Sequence, residues 1–173
     1  GYVPSDVINE SASKTLEYSY NFWCVGRAAE ALGKVEDKHY FYELSGNYKN
    51  LFDKKIQFMR GKQSNGNFAL PFDPAYSEHR FDYFTEGNSW QWSWFAPHDT
   101  KGLIALHKGE DKFVQKLDSL FLTSSKIKGK NASADITGLI GQYAHGNEPS
   151  HGTAYLYEVA NTKSYRTQEV LDE

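Results

Sequence analysis

Ser13-Lys14-Thr15-Leu16-Glu17-Tyr18-Ser19-Tyr20-Asn21-Phe22-Trp23-Cys24-Val25-Gly26-Arg27-Ala28-Ala29-Glu30-Ala31-Leu32-Gly33-Lys34 decides the fold class. Tyr18, Phe22, Val25, Ala29 and Leu32 recur in steps of four and three, and Leu16, Tyr20 and Trp23 form a second stripe beside them. A helix apolar on more than one face is expected to be buried on more than one side. Gly33 supplies its C-terminal stop. Cys24, mid-helix among apolar neighbours, reads as a structural thiol. A second helix opens near Glu36-Asp37, where carboxylates suit the positive end of the helix dipole. It carries Tyr40, Phe41, Leu44, Tyr48, Leu51 and Phe52 at helical spacing. Together the two segments predict an antiparallel helical hairpin.

Beyond the hairpin, residues 53–85 lose all periodicity, yet they hold Asn65-Gly66, Pro71, Pro74 and a run of aromatic residues from Phe58 to Phe84. A connection much longer than about 15 residues is functional or disordered. The aromatic content predicts the ordered, functional kind. Helical spacing resumes from Glu86 to Phe95, with Trp90 and Trp94 a turn apart. It returns from Lys112 to Phe121 and at Ile136, Leu139, Ile140 and Tyr143. Asn147 reads as an N-cap with Pro149 just inside a helix running through Tyr155 and Val159. Thr167 to Glu173 still reads as helix at the last residue, without a stop signal, and the start Gly1-Tyr2-Val3-Pro4 lacks Met. The expectation is one segment, residues 1–173, of a domain truncated at its C-terminal end and also at its N-terminal end. No alternating strand or internal repeat stands out. The fold class is all-α, built of helical hairpins with long, aromatic-rich connections.

Composition narrows the function. At 173 residues the chain fits one domain. Leu, Ile, Val and Phe supply only about a fifth of it, close to the lower bound for folding. Twelve Tyr, 11 Phe and 4 Trp with a net charge of −3 nevertheless exclude disorder. No apolar run approaches the 18 or so residues of a membrane span. Mixed charges and a pI near 6.1 leave no electrostatic footprint for nucleic acid. One cysteine excludes an internal disulfide framework and a Cys-rich metal site.

Two segments could carry chemistry. Thr85-Glu86-Gly87-Asn88-Ser89-Trp90-Gln91-Trp92-Ser93-Trp94-Phe95-Ala96-Pro97-His98-Asp99 sets one carboxylate beside three tryptophans and ends in a His-Asp pair. Indole faces suit sugar C–H surfaces, and a carboxyl among indoles loses solvation, which raises its pKa toward general-acid duty. A plainer reading places Glu86 in the first turn of a helix and the tryptophans in the core. In Gln142-Tyr143-Ala144-His145-Gly146-Asn147-Glu148-Pro149-Ser150-His151, amide and carboxylate oxygens of Gln142, Asn147 and Glu148 suit a hard cation such as Ca²⁺. The plainer reading there is a cap, a dipole partner and surface histidines. Zinc-hydrolase, nucleophile-elbow and Walker signatures are all missing.

As a set, five blocks resemble glycoside hydrolase family ninety-two, the calcium-dependent exo-acting α-mannosidases common in gut bacteria. They are Gly1-Tyr2-Val3-Pro4, Ser13 to Tyr18, Thr85 to Asp99, Gly138-Leu139-Ile140-Gly141-Gln142-Tyr143 and His145 to His151. The resemblance runs the length of the chain. It implies part of an (α/α)6 toroid of paired helices, and inverting release of terminal α-mannose from a mannose-containing glycan. The parent protein would then be periplasmic or secreted. Glu86 matches the acid. The resemblance implies substrate contacts for Trp90, His98, Asp99, His145 and His151, and Ca²⁺ near Gln142, Asn147 and Glu148. Family members continue Ser-His-His after Asn-Glu-Pro, whereas Gly152 follows His151 here. The aspartate base belongs beyond Glu173, so the 173 residues alone are expected to be inactive, and to expose an apolar patch that favours self-association or a companion fragment. The alternative function is a non-catalytic mannose-binding helical module.

Overall fold

The computed structural model describes all 173 residues. Helix α1, Ser11–Ala31, leads into α2, Val35–Ser45, which runs on as a tighter helical turn through Leu51. The expected hairpin is present. Gly33, at φ +68°, ends α1: its N–H donates to the Glu30 carbonyl and that of Lys34 donates to the Ala29 carbonyl, satisfying two open helix-end acceptors.

Burial along the hairpin is uneven. Ala12 and Leu16 are wholly inaccessible, whereas Leu32 is 73% exposed and Val25, Val35 and Tyr40 are also exposed. The first apolar stripe therefore faces water at Tyr18, Val25 and Leu32, while the second is buried at Leu16, contrary to burial on two sides. Cys24 is exposed as well, so the thiol read as structural is not packed among its apolar neighbours.

Residues 53–85 are ordered by short pairings. Strands β1, Phe52–Asp53, and β2, Phe58–Met59, form an antiparallel ribbon, and single bridges join Lys62 to Phe68 and Tyr76 to Lys128. The next helix, α3, is only Ser89–Trp92, followed by α4, Thr100–Leu106, and α5, Glu110–Leu122. Helix α4 carries too short an apolar pattern to announce itself.

The expected helix at 136–143 is instead a β-hairpin of β3, Leu139–Ile140, and β4, Tyr143–Ala144, paired antiparallel. Gly141 decides this. It sits at φ +57°, and a Cβ there would lie 2.3 Å from the Leu120 carbonyl oxygen, so a helical turn is replaced by a tight reversal against α5. The helix expected after Asn147 is broken into two tight turns, Glu148–Ser150 and Thr153–Tyr155, before α6, Leu156–Ala160, and then α7, Arg166–Leu171. All-α holds for the framework, with two small ribbons inserted.

One core joins the first helix to the last. Phe113, Val114, Leu117, Leu120 and Phe121 give α5 a single buried face, and around it pack Leu16, Tyr48, Leu51, Trp92, Trp94, Tyr143, Tyr157 and Val170. His107 lies inside this core, fully inaccessible. Its ring stacks on Trp94 at 5.7 Å and meets Phe52 and Phe113 edge-on. Neither ring nitrogen finds a partner. Burial, aided by the charge of Lys116, pushes its pKa down to about 4.

That histidine makes the fold acid-sensitive. The unfolded chain takes up the proton first, so stability falls as pH drops from about 6.5 toward 4 and levels off below that. Between pH 7.5 and pH 5, His107→Phe should lose about 2 kcal/mol less stability than the parent sequence, measured from urea midpoints at the two pH values.

Candidate active site

Glu86 does not occupy the first turn of a helix. It precedes the N-cap of α3 and has left-handed backbone, φ +48°, a conformation that a non-glycine residue holds only when its surroundings impose it. The surroundings are visible. Ser13 Oγ on α1 accepts from the Thr85 N–H at 2.8 Å, and the Trp92 indole N–H donates to the Thr85 carbonyl at 2.8 Å. Asn147 Nδ2 donates to the Glu86 carbonyl at 2.6 Å. Gly87 completes the turn: a Cβ there would fall 2.8 Å from Trp92 Nε1 and 2.9 Å from Gln91 Oε1, leaving room only for glycine. The Glu86 side chain is half-buried and enters the chain's hydrogen-bond network through its backbone alone.

Behind this turn lies a buried network of side-chain amides. Asn88 and Gln91 cap α3 reciprocally: Asn88 Oδ1 accepts from the Gln91 N–H and Gln91 Oε1 from the Asn88 N–H. Asn88 Nδ2 donates to Gln142 Oε1 at 2.9 Å, and Gln91 Nε2 to the Gln142 carbonyl at 3.2 Å. Gln142 Nε2 donates in turn to the carbonyls of Ser124 and Lys126. The turn that carries Glu86 and the 142–151 segment, more than fifty residues apart in sequence, are thus joined by matched donors and acceptors. Sequence reasoning missed Asn88, Gln91 and Ser13; the Asn-x-x-Gln spacing at a helix start was the available signal.

The other candidates separate by partner. Gln142 is 1% exposed, and its amide is committed to the network. Asn147 is 3% exposed, and its Oδ1 is buried without a partner. Glu148 is exposed beside it and lines a cavity of about 280 Å³ with Trp94, Phe95 and Tyr155. His145 and His151 are exposed, with ring centroids 5.5 Å apart. His145 Nδ1 lies 2.9 Å from the Tyr143 hydroxyl, and His151 Nε2 2.9 Å from the His145 carbonyl. No cluster of three or more His, Cys, Asp or Glu side chains capable of holding a metal forms within the chain.

The tryptophans divide. Trp92 and Trp94 belong to the core, which favours the plainer reading for both. Trp90 packs edge-on to Phe58 at 4.7 Å. Lys116 Nζ sits 3.4 Å from the Phe58 centroid and 4.6 Å from that of Trp90, and burial pushes its amine down to about 8. Trp90 also lines an open groove with Phe72, Asp73, Lys126 and Lys128.

His98 and Asp99 serve a joint between helices. Asp99 caps α4 by accepting the Gly102 N–H, takes the Tyr48 hydroxyl at 2.8 Å and pairs with Lys49 at 3.0 Å. Burial works against its charge, but these bonds prevail and hold its pKa below the usual value. His98 Nε2 meets the Ser45 carbonyl at 3.0 Å, and burial lowers its pKa.

Comparison with known proteins matches residues 1–173 to the model of the Glycosyl hydrolase family 92 catalytic domain. The structure is similar to that of a family GH92 alpha-mannosidase from Bacteroides thetaiotaomicron in complex with mannoimidazole. Identity is 40% and the TM-score 0.86, over 97% of this chain and 22% of that one. A family GH92 inverting mannosidase of the same bacterium is similar at 36% identity and TM-score 0.74, over 91% of this chain and 22% of its own. An uncharacterized secreted glycosidase of Arthroderma benhamiae is 31% identical over 181 residues, 92% of this chain and 21% of that protein. The chain spans about a fifth of the length of the relatives it matches.

Gln142→Met keeps the volume and strips the amide, orphaning Asn88 Nδ2 and freeing the carbonyls of Ser124 and Lys126. Ser124 and Lys126 are exposed and their carbonyls can turn to water, so at roughly 1–3 kcal/mol for the one buried group left unsatisfied, Asn88 Nδ2, the variant should lose about 2 kcal/mol in chemical denaturation.

Proposed function

Because this chain belongs to glycosyl hydrolase family 92, we propose that it forms part of an exo-acting α-mannosidase and supplies that enzyme's general acid, Glu86. The observation that carries the reading is the fixed backbone at Glu86, bonded directly to Asn147 in the segment that also presents Glu148, His145 and His151. The similar mannosidases, one inverting and one in complex with mannoimidazole, are whole proteins several times longer than this chain. For this chain we read the substrate as a glycan ending in α-mannose.

The chemistry follows from two carboxyl groups. Inverting hydrolysis sets them about 6.5–9.5 Å apart, one protonating the departing oxygen while the other takes a proton from water on the opposite face of the ring. Glu86 donates to the glycosidic oxygen as the C1–O bond breaks. An aspartate outside these 173 residues serves as base, so the chain by itself turns nothing over. His145 and His151, exposed and paired, contact sugar hydroxyls, and Trp90, lining its groove, offers a stacking surface. The whole domain is an (α/α)6 toroid of which the α1–α2 hairpin is one unit. The parent enzyme works outside the cytoplasm, a reading supported by the secreted relative; in this chain no helix is long and apolar enough to cross a membrane.

Calcium fits the donor chemistry in part. The unpartnered Oδ1 of Asn147 and the exposed carboxylate of Glu148 are hard oxygen donors, whereas Gln142 has no oxygen to spare from its network. These two would hold the ion together with ligands from elsewhere in the enzyme, since calcium takes about six to eight oxygens. When bound, it supplies a fixed positive charge that orients ring hydroxyls.

In the full-length enzyme, Glu86→Gln should cut hydrolysis of an α-mannosyl disaccharide by about 10²–10⁴-fold with little change in KM. A chelator should lower the same activity and added Ca²⁺ restore it. Undiminished turnover in the variant overturns the assignment of the acid. Sugar binding without turnover in the full-length enzyme favours the non-catalytic module.

A further inference from the structure

We propose that Asn147 is a positioning residue: its amide holds the peptide after Glu86 in place and thereby aims the acid's side chain. The proposal rests on Glu86 being the acid. Peptide units are planar, so fixing the carbonyl on each side of a Cα fixes the direction of its Cα–Cβ bond. Here both are fixed. Trp92 Nε1 holds the Thr85 carbonyl, and Asn147 Nδ2 holds the Glu86 carbonyl. Between them Glu86 keeps its left-handed φ, which an L residue leaves unless it is restrained.

The behaviour of Asn147 supports a dedicated role. It stands at the N-cap of the Glu148–Ser150 turn, where an Asn side chain ordinarily accepts a backbone N–H, yet it makes no cap bond. Its side chain reaches instead to a residue 61 positions earlier in the chain. Only the NH₂ end can meet a carbonyl oxygen, so the amide has one orientation, with Oδ1 turned away, buried and unpartnered. Asn147 gives up a local cap bond to hold Glu86. The neighbouring amide network locks both segments, so neither can drift to relieve the contact.

Asn147→Asp separates this role from that of an oxygen ligand. The change is isosteric and keeps an oxygen where Oδ1 lies, but a carboxylate cannot donate to the Glu86 carbonyl. In the full-length enzyme, kcat for an α-mannosyl disaccharide should fall on the order of a hundredfold, the lower range for a lost general acid. KM should stay within a few-fold, and Ca²⁺ affinity by titration calorimetry should be no weaker. A 2,4-dinitrophenyl α-mannoside, whose leaving group needs no proton, should react within a few-fold of the parent rate. Trp92→Phe, which removes the other bond while keeping an aromatic ring, should show the same selectivity for the poor leaving group. Equal losses on both substrates, or full activity of Asn147→Asp on the disaccharide, overturn the proposal. Glu86→Gln run in parallel separates the two readings: if it too leaves disaccharide hydrolysis intact, the acid assignment has failed rather than its positioning.

Discussion

Everything near the candidate site depends on the matching of three buried side-chain amides, those of Asn88, Gln91 and Gln142. A buried amide without partners costs more than an apolar group of the same size, so such a cluster is stable only when its geometry is right. Here the geometry is right at every atom of the three. Helix α3, four residues long, is far too short to persist alone. It is held by its reciprocal cap, by Ser89 Oγ donating to the Met59 carbonyl at 2.6 Å, and by Met59 N–H donating to Ser93 Oγ at 2.9 Å. Glu86 sits on a turn whose shape is decided by its neighbours.

This arrangement divides labour between aromatic and polar residues. Trp92 and Trp94 fill the core; one spare indole N–H of Trp92 is then lent to the Thr85 carbonyl. At the far side of the core, the Tyr157 hydroxyl donates to Asp118, which also receives Lys163 and Arg166, tying the last helices to α5. Aromatic bodies provide burial while their polar tips set register, a use well suited to a chain poor in aliphatic residues.

The hairpin, the long buried face of α5 and the two segments that hold Glu86 and Asn147 were legible in the sequence, because helical spacing and dense polar blocks are local patterns. The β-hairpin at 139–144 was not. Ile136, Leu139, Ile140 and Tyr143 satisfy a helical template, and the contact that forbids it, Gly141 against the Leu120 carbonyl, is non-local. The roles of His98 and Asp99 were likewise hidden, since their partners Ser45, Tyr48 and Lys49 lie some fifty positions away. Spacing marked Asn147 as a cap; only the fold shows where its amide goes.

The uneven burial of α1 has a mechanical meaning. The helix is buried at its base by Ala12 and Leu16, and its outer half leans on α2 through Gly26, Ala29 and the bonds of Glu30 to Lys38 and Tyr42, with Leu32 in water at the tip. Ser13, in the buried base, is also the residue that receives the Thr85 N–H, one position before Glu86. The two helices therefore act as one lever, and a load on its outer end is resisted at the base, next to the backbone that carries the carboxyl group.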